Sequence, residues 1–282
     1  MRWETYEKRF REAAQSENLK PEKLQQLLSY AKTLHSSNCP IVFDQTHLSL
    51  LIGIDNEYLH SMSNAPEYFY RTFYIKKRNG KKRRIDEPLP DLKKVQSWIL
   101  TEILYKKPCS KFAKAYIPKI SIKENVRFHK NRKVVVTIDI KDFFPSIKSG
   151  HVLNVFLSMG YNLPVAMLLT CLCCYNGCLP QGAPTSAYLS NLVMNHFDDN
   201  ISKYCVSSIV FIRTSAYRNG DRIPEFNLGN TVTVLFHFFY CDQGLADNFK
   251  LTERVRIRNE FILASEYLLD HFAHDAVFVA IE

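Results

Sequence analysis

No stretch of 18 or more apolar residues runs anywhere in this 282-residue chain, so no membrane-spanning helix is expected. The N-terminus, Met1-Arg-Trp-Glu-Thr-Tyr-Glu-Lys-Arg9, carries mixed charge and lacks the apolar core of a secretory signal. A cytoplasmic setting is the expectation that follows. There is no internal repeat and no low-complexity tract, and a 46% hydrophobic content suffices for a folded core. Of the eight cysteines, four crowd into Cys171-Leu-Cys173-Cys174-Tyr-Asn-Gly-Cys178, with neither a second suitably spaced pair nor histidines after them. A zinc cluster is therefore not expected. Reduced, buried cysteines on a helix are.

What the chain does have is a block of positive charge. Residues 71–150 hold 22 Lys and Arg against 7 Asp and Glu, a net of +15, whereas the rest holds 15 against 21, a net of −6. A basic block in an otherwise slightly acidic chain is the footprint of a polyanion-binding surface. The plainer alternative is a solvated lysine face. Interleaved aromatics (Phe69, Tyr70, Phe73, Tyr74, Phe112, Tyr116, Phe128) could pack or stack on bases, and they tilt the balance toward nucleic acid.

Residues 3–35 read as one or two amphipathic helices, and 46–65 as a further small helical unit that could also pass for a helix-turn-helix. Tyr70–Lys76 and Lys82–Asp86 flank Asn79-Gly80, a strong hairpin turn signal. From Asp91, a plausible N-cap, to Tyr105 the apolar positions keep the helical period. Residues 115–133 read as loop and short helix. Helices are expected over 152–159, 165–175, 185–204 and 251–272, with a turn at 179–184 and a strand at 231–240.

The most informative stretch is Val134-Val-Val-Thr-Ile-Asp139-Ile-Lys-Asp142-Phe-Phe-Pro145. Its β-branched run reads as a buried strand, with Thr137 and Asp139 on one face and Ile138 and Ile140 on the other. A carboxylate at the end of a buried strand is costly unless something positive, most often a metal ion, meets it. Forty residues on comes Leu179-Pro-Gln-Gly182-Ala-Pro-Thr-Ser-Ala-Tyr-Leu-Ser-Asn191. Together, in this order, the two segments closely resemble the palm of a reverse transcriptase, and the bacterial retron-type and group II intron-like branch fits best. Upstream, Lys82-Arg83-Arg-Ile85-Asp-Glu-Pro88 is similar to the fingers pattern Lys-Arg-x-Ile-x-x-Pro, and Ser121–His129 to Ser-Ile-x-x-Asn-x-x-x-His.

The resemblance implies an α+β fold: fingers and a partial palm of helices and antiparallel strands, with a small N-terminal helical cap. It implies RNA-directed DNA polymerisation, a two-metal transfer of dNTPs onto a primer on a structured RNA template. Mg²⁺ is the expected ion, with Mn²⁺ as its substitute. Asp139 would be the catalytic metal ligand, with the Ile140 carbonyl as an extra oxygen. Lys82 and Arg83 would grip the triphosphate, the Asp142 amide would lie near it, and Phe144 would exclude a 2′-hydroxyl. Gln181 and Gly182 would line the nucleotide pocket. Lys81, Arg84, Asn125 and His129 would serve template or fold contacts. Anti-phage defence and multicopy single-stranded DNA synthesis are the biological settings implied, and the sequence is silent on accessory protein partners.

The resemblance covers roughly residues 45–205 and then stops. The family next carries Tyr-x-Asp-Asp, which supplies its remaining catalytic carboxylates, and no such motif occurs in this chain. Asp198-Asp199 reads as a solvated helix face, Tyr240-Cys-Asp242 as a poor imitation, and His271, His274, Asp270 and Asp275 as a polar helix end. The expected organisation is a helical region at 1–65, incomplete fingers and palm at 66–205, and a tail of unrecognised type at 206–282. That tail is either a disrupted continuation or a divergent module. Two functions follow: a retron-type polymerase that is inactive or truncated as it stands, or an RNA-binding module of the same descent that polymerises nothing. A third, an unrelated DNA-binding helical regulator, leaves Leu179–Asn191 unexplained.

Overall fold

The computed structural model describes residues 2–76, 82–120, 134–140, 142–207, 211–217, 232–239 and 276–280. Four helices open it: α1 (Trp3–Ser16), α2 (Pro21–Ser36), α3 (Gln45–Ile52) and α4 (Asn56–Asn64). Trp3, Tyr6 and Phe10 recur at helical spacing, and Phe10 meets Phe43 with ring centroids 5.5 Å apart. Pro21 starts α2 at a position where a missing N–H costs nothing, and Leu28, Ala31 and Leu34 form its buried stripe. The short α3 and α4 depend on their caps. The Asp44 carboxylate accepts the His47 N–H at 2.8 Å, and Asp55 accepts that of Tyr58 at 2.9 Å. Gly53, at φ 74°, ends α3 in the left-handed region.

Strands β1 (Tyr70–Lys76) and β2 (Lys82–Pro88) form a two-stranded sheet. Five residues join them, too few for a parallel crossover, so the pair is an antiparallel hairpin. Its turn, Asn79-Gly80, lies outside the described residues. Next comes α5 (Pro90–Trp98), which widens into a π turn over Ile99–Ile103 and tightens into a 3₁₀ turn at Leu104–Lys106. A regular helix to Tyr105 is thus corrected. Ile99, Ile103 and Leu104 are all 0% exposed, and a regular helix would point adjacent positions 103 and 104 about 100° apart. Asp91 is not the N-cap either. Leu89 is, and Asp91 instead accepts the Tyr58 hydroxyl at 3.0 Å.

Four more helices follow: α6 (Phe143–Ser146), α7 (Ser149–Ser158), α8 (Leu163–Cys173) and α9 (Ser186–Ser207). α8 buries Val165, Ala166, Leu169, Thr170, Leu172 and Cys173. The Asn162 side chain caps it by accepting the Val165 N–H at 3.0 Å. Asn162→Ala is expected to cost about 1 kcal/mol. Chemical denaturation should show a lower midpoint at unchanged slope, and an unshifted midpoint would contradict the cap. Cys173 and Cys174 are buried as expected, and burial pushes the Cys173 thiol up to about 12. Cys171, by contrast, is exposed.

Along α9, Ser190, Met194, Phe197 and Asp198 are buried, one stripe at helical period. The reading of Asp198-Asp199 as a solvated face is therefore half wrong: Asp198 is 0% exposed, while Asp199 is exposed. Position 198 follows Met194 by four residues, which brings its carboxylate onto the inward face.

A second sheet runs in the order β4 (Phe211–Tyr217), β5 (Val232–Phe239), β3 (Val134–Ile140), β6 (Ala276–Ala280). β3 and β6 are antiparallel, but β5 lies parallel to both β3 and β4. All-antiparallel pairing is thus not what is found. The connections are long enough for parallel crossovers, unlike that of the hairpin. The helix expected at 251–272 lies outside the described residues.

The chain divides into two compact units. The first gathers Met1–Thr72, Asp86–Pro108 and Ile147–Leu189. The second gathers Phe73–Ile85, Cys109–Ser146 and Ser190–Glu282. The α+β class is as expected, with the N-terminal helices in the first unit and the four-stranded sheet in the second. No helix among the described residues is long and apolar enough to cross a membrane.

Candidate functional site

In the first unit, the turn after α8 is held from several sides. Leu179 N–H donates to the Ile147 carbonyl at 3.0 Å, and the Ser186 hydroxyl donates to the Pro180 carbonyl at 2.7 Å. Gly182 sits at φ 129°, in the region that favours glycine, and is exposed, so a ligand could approach its backbone. Gln181 is half-buried, and its carbonyl accepts the Asp86 N–H from β2 at 2.8 Å. Asp86 is 9% exposed, and its carboxylate accepts the Thr72 hydroxyl from β1 at 2.6 Å. Two residues earlier on β1, Tyr70 stacks on Tyr175 with centroids 4.4 Å apart. The buried Gln96 Nε2 donates to both the Tyr70 hydroxyl (2.7 Å) and the Leu172 carbonyl (2.8 Å). Burial pushes the Tyr70 phenol far above its ordinary value, so it stays protonated. On the outer side of β2, Glu87 pairs with Arg71 at 2.7 Å and Lys93 at 3.4 Å. The Arg71 hydrogen bond, then that of Lys93, holds its carboxyl below the ordinary range.

The outer half of the hairpin belongs to the second unit. There Lys82 and Arg84 are exposed and Arg83 is half-buried. Tyr74 is 62% exposed and Ile75 49%, so of the interleaved aromatics Tyr74 presents a free face while Tyr70 is spent on packing. β3 places Asp139 opposite Val277 of β6. Asp142 is exposed at φ 49°, an uncommon conformation for a non-glycine residue, and its carbonyl accepts the Ser146 N–H at 2.9 Å to start α6. Phe143 and Phe144 are each 6% exposed, with rings 5.5 Å apart. α9 holds the preceding loop: Asn191 Nδ2 donates to the Ala115 carbonyl at 2.8 Å, and Asn195 Oδ1 accepts the Ser110 N–H at 2.7 Å.

Lys81, Asn125 and His129 lie outside the described residues, as do Asp221, Asp242, Asp270, His271, His274 and Asp275. No group of three or more His, Cys, Asp or Glu that could hold a metal occurs among the described residues. Among the described residues, one strand carboxylate does not make the donor set that two adjacent divalent ions require.

The family described as reverse transcriptase (RNA-dependent DNA polymerase) matches residues 75–220, more than half of the chain. The chain belongs to the reverse transcriptase family. Retron reverse transcriptases are among its curated relatives. The retron Ec86 reverse transcriptase of Escherichia coli is 34% identical over 176 residues, covering 62% of this chain and 55% of the relative. Two from Myxococcus xanthus are similar to it as well. Retron Mx65 reverse transcriptase is 31% identical over 173 residues (55% of this chain, 40% of the relative). Retron Mx162 reverse transcriptase is 32% identical over 151 residues (47% and 31%). The chain thus spans about half, or less, of the length of these relatives. Reverse transcriptases generally use divalent metal ions. The matched stretch contains β2, Asp139, Leu179–Gly182 and nearly all of the +15 block.

Proposed function

We propose that this chain carries the RNA- and nucleotide-holding part of a retron-type RNA-directed DNA polymerase, and that as it stands it polymerises little or nothing. The observation that carries the reading is the coincidence of the family match, residues 75–220, with the basic block, residues 71–150. On the resemblance, Lys82 and Arg83 take the triphosphate of a dNTP, Arg being suited to bidentate phosphate pairing and Lys to a mobile point charge. Gln181 and Gly182 line the nucleotide, the Asp142 amide donates to it, and Phe144 discriminates against a 2′-hydroxyl. Asp139, with the Ile140 carbonyl, is the family's first-strand metal position, for Mg²⁺ or Mn²⁺ in its place. Lys81, Arg84, Asn125 and His129 face the RNA template and primer. The second reading, an RNA-binding module without catalysis, is favoured by one observation: Tyr-x-Asp-Asp occurs nowhere in the sequence.

RNA binding is the property both readings share. Filter binding of a structured RNA should show affinity falling steeply with salt as phosphate counterions are released, by about 0.7–0.9 log units per log unit of salt for each phosphate neutralised. Reversal of Lys81, Lys82 and Arg84 to Glu together should weaken binding by tenfold or more and flatten that slope. Salt-independent affinity, or an inert triple variant, contradicts the assignment.

A further inference from the structure

We propose that Asp86 is a positioning residue for the Gln181–Gly182 turn and, through it, for the incoming nucleotide; this rests on reading that turn as the nucleotide pocket. The Leu89 N–H bond to the Phe69 carbonyl (2.8 Å) sets the hairpin register. Counted from it, Thr72 faces Asp86 at a non-hydrogen-bonded position. There side chains stand closest and backbone N–H groups point out of the ladder. Both consequences are observed. The Thr72 hydroxyl reaches the Asp86 carboxylate at 2.6 Å, and the Asp86 N–H reaches outward to the Gln181 carbonyl at 2.8 Å.

A two-stranded sheet leaves each strand one open edge, and the pocket turn meets that edge of β2 at Asp86. A buried carboxylate is an expensive way to fill space, since an apolar side chain there would need no partner. What the carboxylate adds is direction: through Thr72 it locks the rotation of β2, and so the aim of its N–H at Gln181. The neighbouring part of β1 is itself fixed, because Tyr70 is clamped by Gln96 and Tyr175. Lys82 and Arg83 lie four and three residues earlier on the same strand. The latch is thus rigid on the β1 side and ends on the peptide that precedes the one glycine of the turn.

The test uses the full chain on poly(rA)·oligo(dT) with Mg²⁺ and measures equilibrium dTTP affinity, poly(rA) affinity, melting temperature and amide exchange over residues 179–186. Asp86→Ala and Thr72→Val should each weaken dTTP about tenfold and speed exchange in the turn, with poly(rA) affinity unchanged. Asp86→Asn, which keeps an acceptor for Thr72, should stay within about threefold of the unaltered chain. If Asp86→Ala does not fold, Thr72→Val carries the test. Unchanged dTTP affinity in a folded variant, or dTTP and poly(rA) affinities falling in step, overturns the positioning role alone. No dTTP binding by the unaltered chain overturns the pocket reading and this role with it. Protected exchange at 179–186 that opens in the variants then shows the latch to be structural only.

Discussion

Joined after Tyr204 to a reverse transcriptase segment that carries Tyr-x-Asp-Asp, residues 1–204 should extend a DNA primer on RNA, and Asp139→Ala in that chimera should lower the rate by about three orders of magnitude. The argument is electrostatic. Two divalent ions a few ångströms apart repel one another, and only several carboxylates hold them there against that repulsion. On the resemblance, Asp139 would be one of the carboxylates that hold them. Removing it forfeits several kcal/mol of stabilisation of the developing charge, and each decade of rate corresponds to about 1.4 kcal/mol. Single-turnover extension with a radiolabelled primer reads this directly. Asp199→Ala, at an exposed position on α9 that is not among the assigned residues, should leave the rate unchanged. A chimera that extends equally well with alanine at position 139 would remove Asp139 from the metal site.

Much of the fold was legible because its signals are local. Helical spacing in residues 3–35 and the β-branched run at Val134–Ile140 both lie within a few residues of the structure they specify. What was not legible depends on partners distant in sequence. Asp91 looks like an N-cap because its competing partner, Tyr58, is 33 residues away. The π turn at Ile99–Ile103 arises from burial on a core that the helix period alone does not show. The parallel pairing of β5 with β3 and β4 joins strands that no short-range signal connects.

The candidate site divides in the same way. Lys82, Arg83, Gln181 and Gly182 were found by motif, because their spacing repeats a known pattern. Asp86 was passed over inside the fingers pattern as a variable position, although it ties Thr72 to Gln181. By strand alternation it shares a face with Lys82 and Arg84, which are exposed, and with Pro88, which is buried. Only the tertiary closure of the β2 edge decides which neighbour it follows. Asp198 was misread for a related reason: a pair of adjacent acids suggests solvent, whereas its spacing from Met194 and Ser190 points inward.

The central claim, that this chain holds RNA and nucleotide without completing the catalytic centre, is tested most directly by primer extension with the full 282-residue chain. The described residues offer no metal-binding cluster, and the whole sequence offers no Tyr-x-Asp-Asp. Losing most of a two-metal site costs several orders of magnitude in rate. With Mg²⁺, dNTPs and a primed RNA template that filter binding shows to be held, extension should stay at the protein-free background, and Asp139→Ala should change nothing. Robust extension by the unaltered chain, abolished by Asp139→Ala, would contradict the account. Carboxylates within 206–282 would then complete the site, Asp221 and Asp242 being the first to replace.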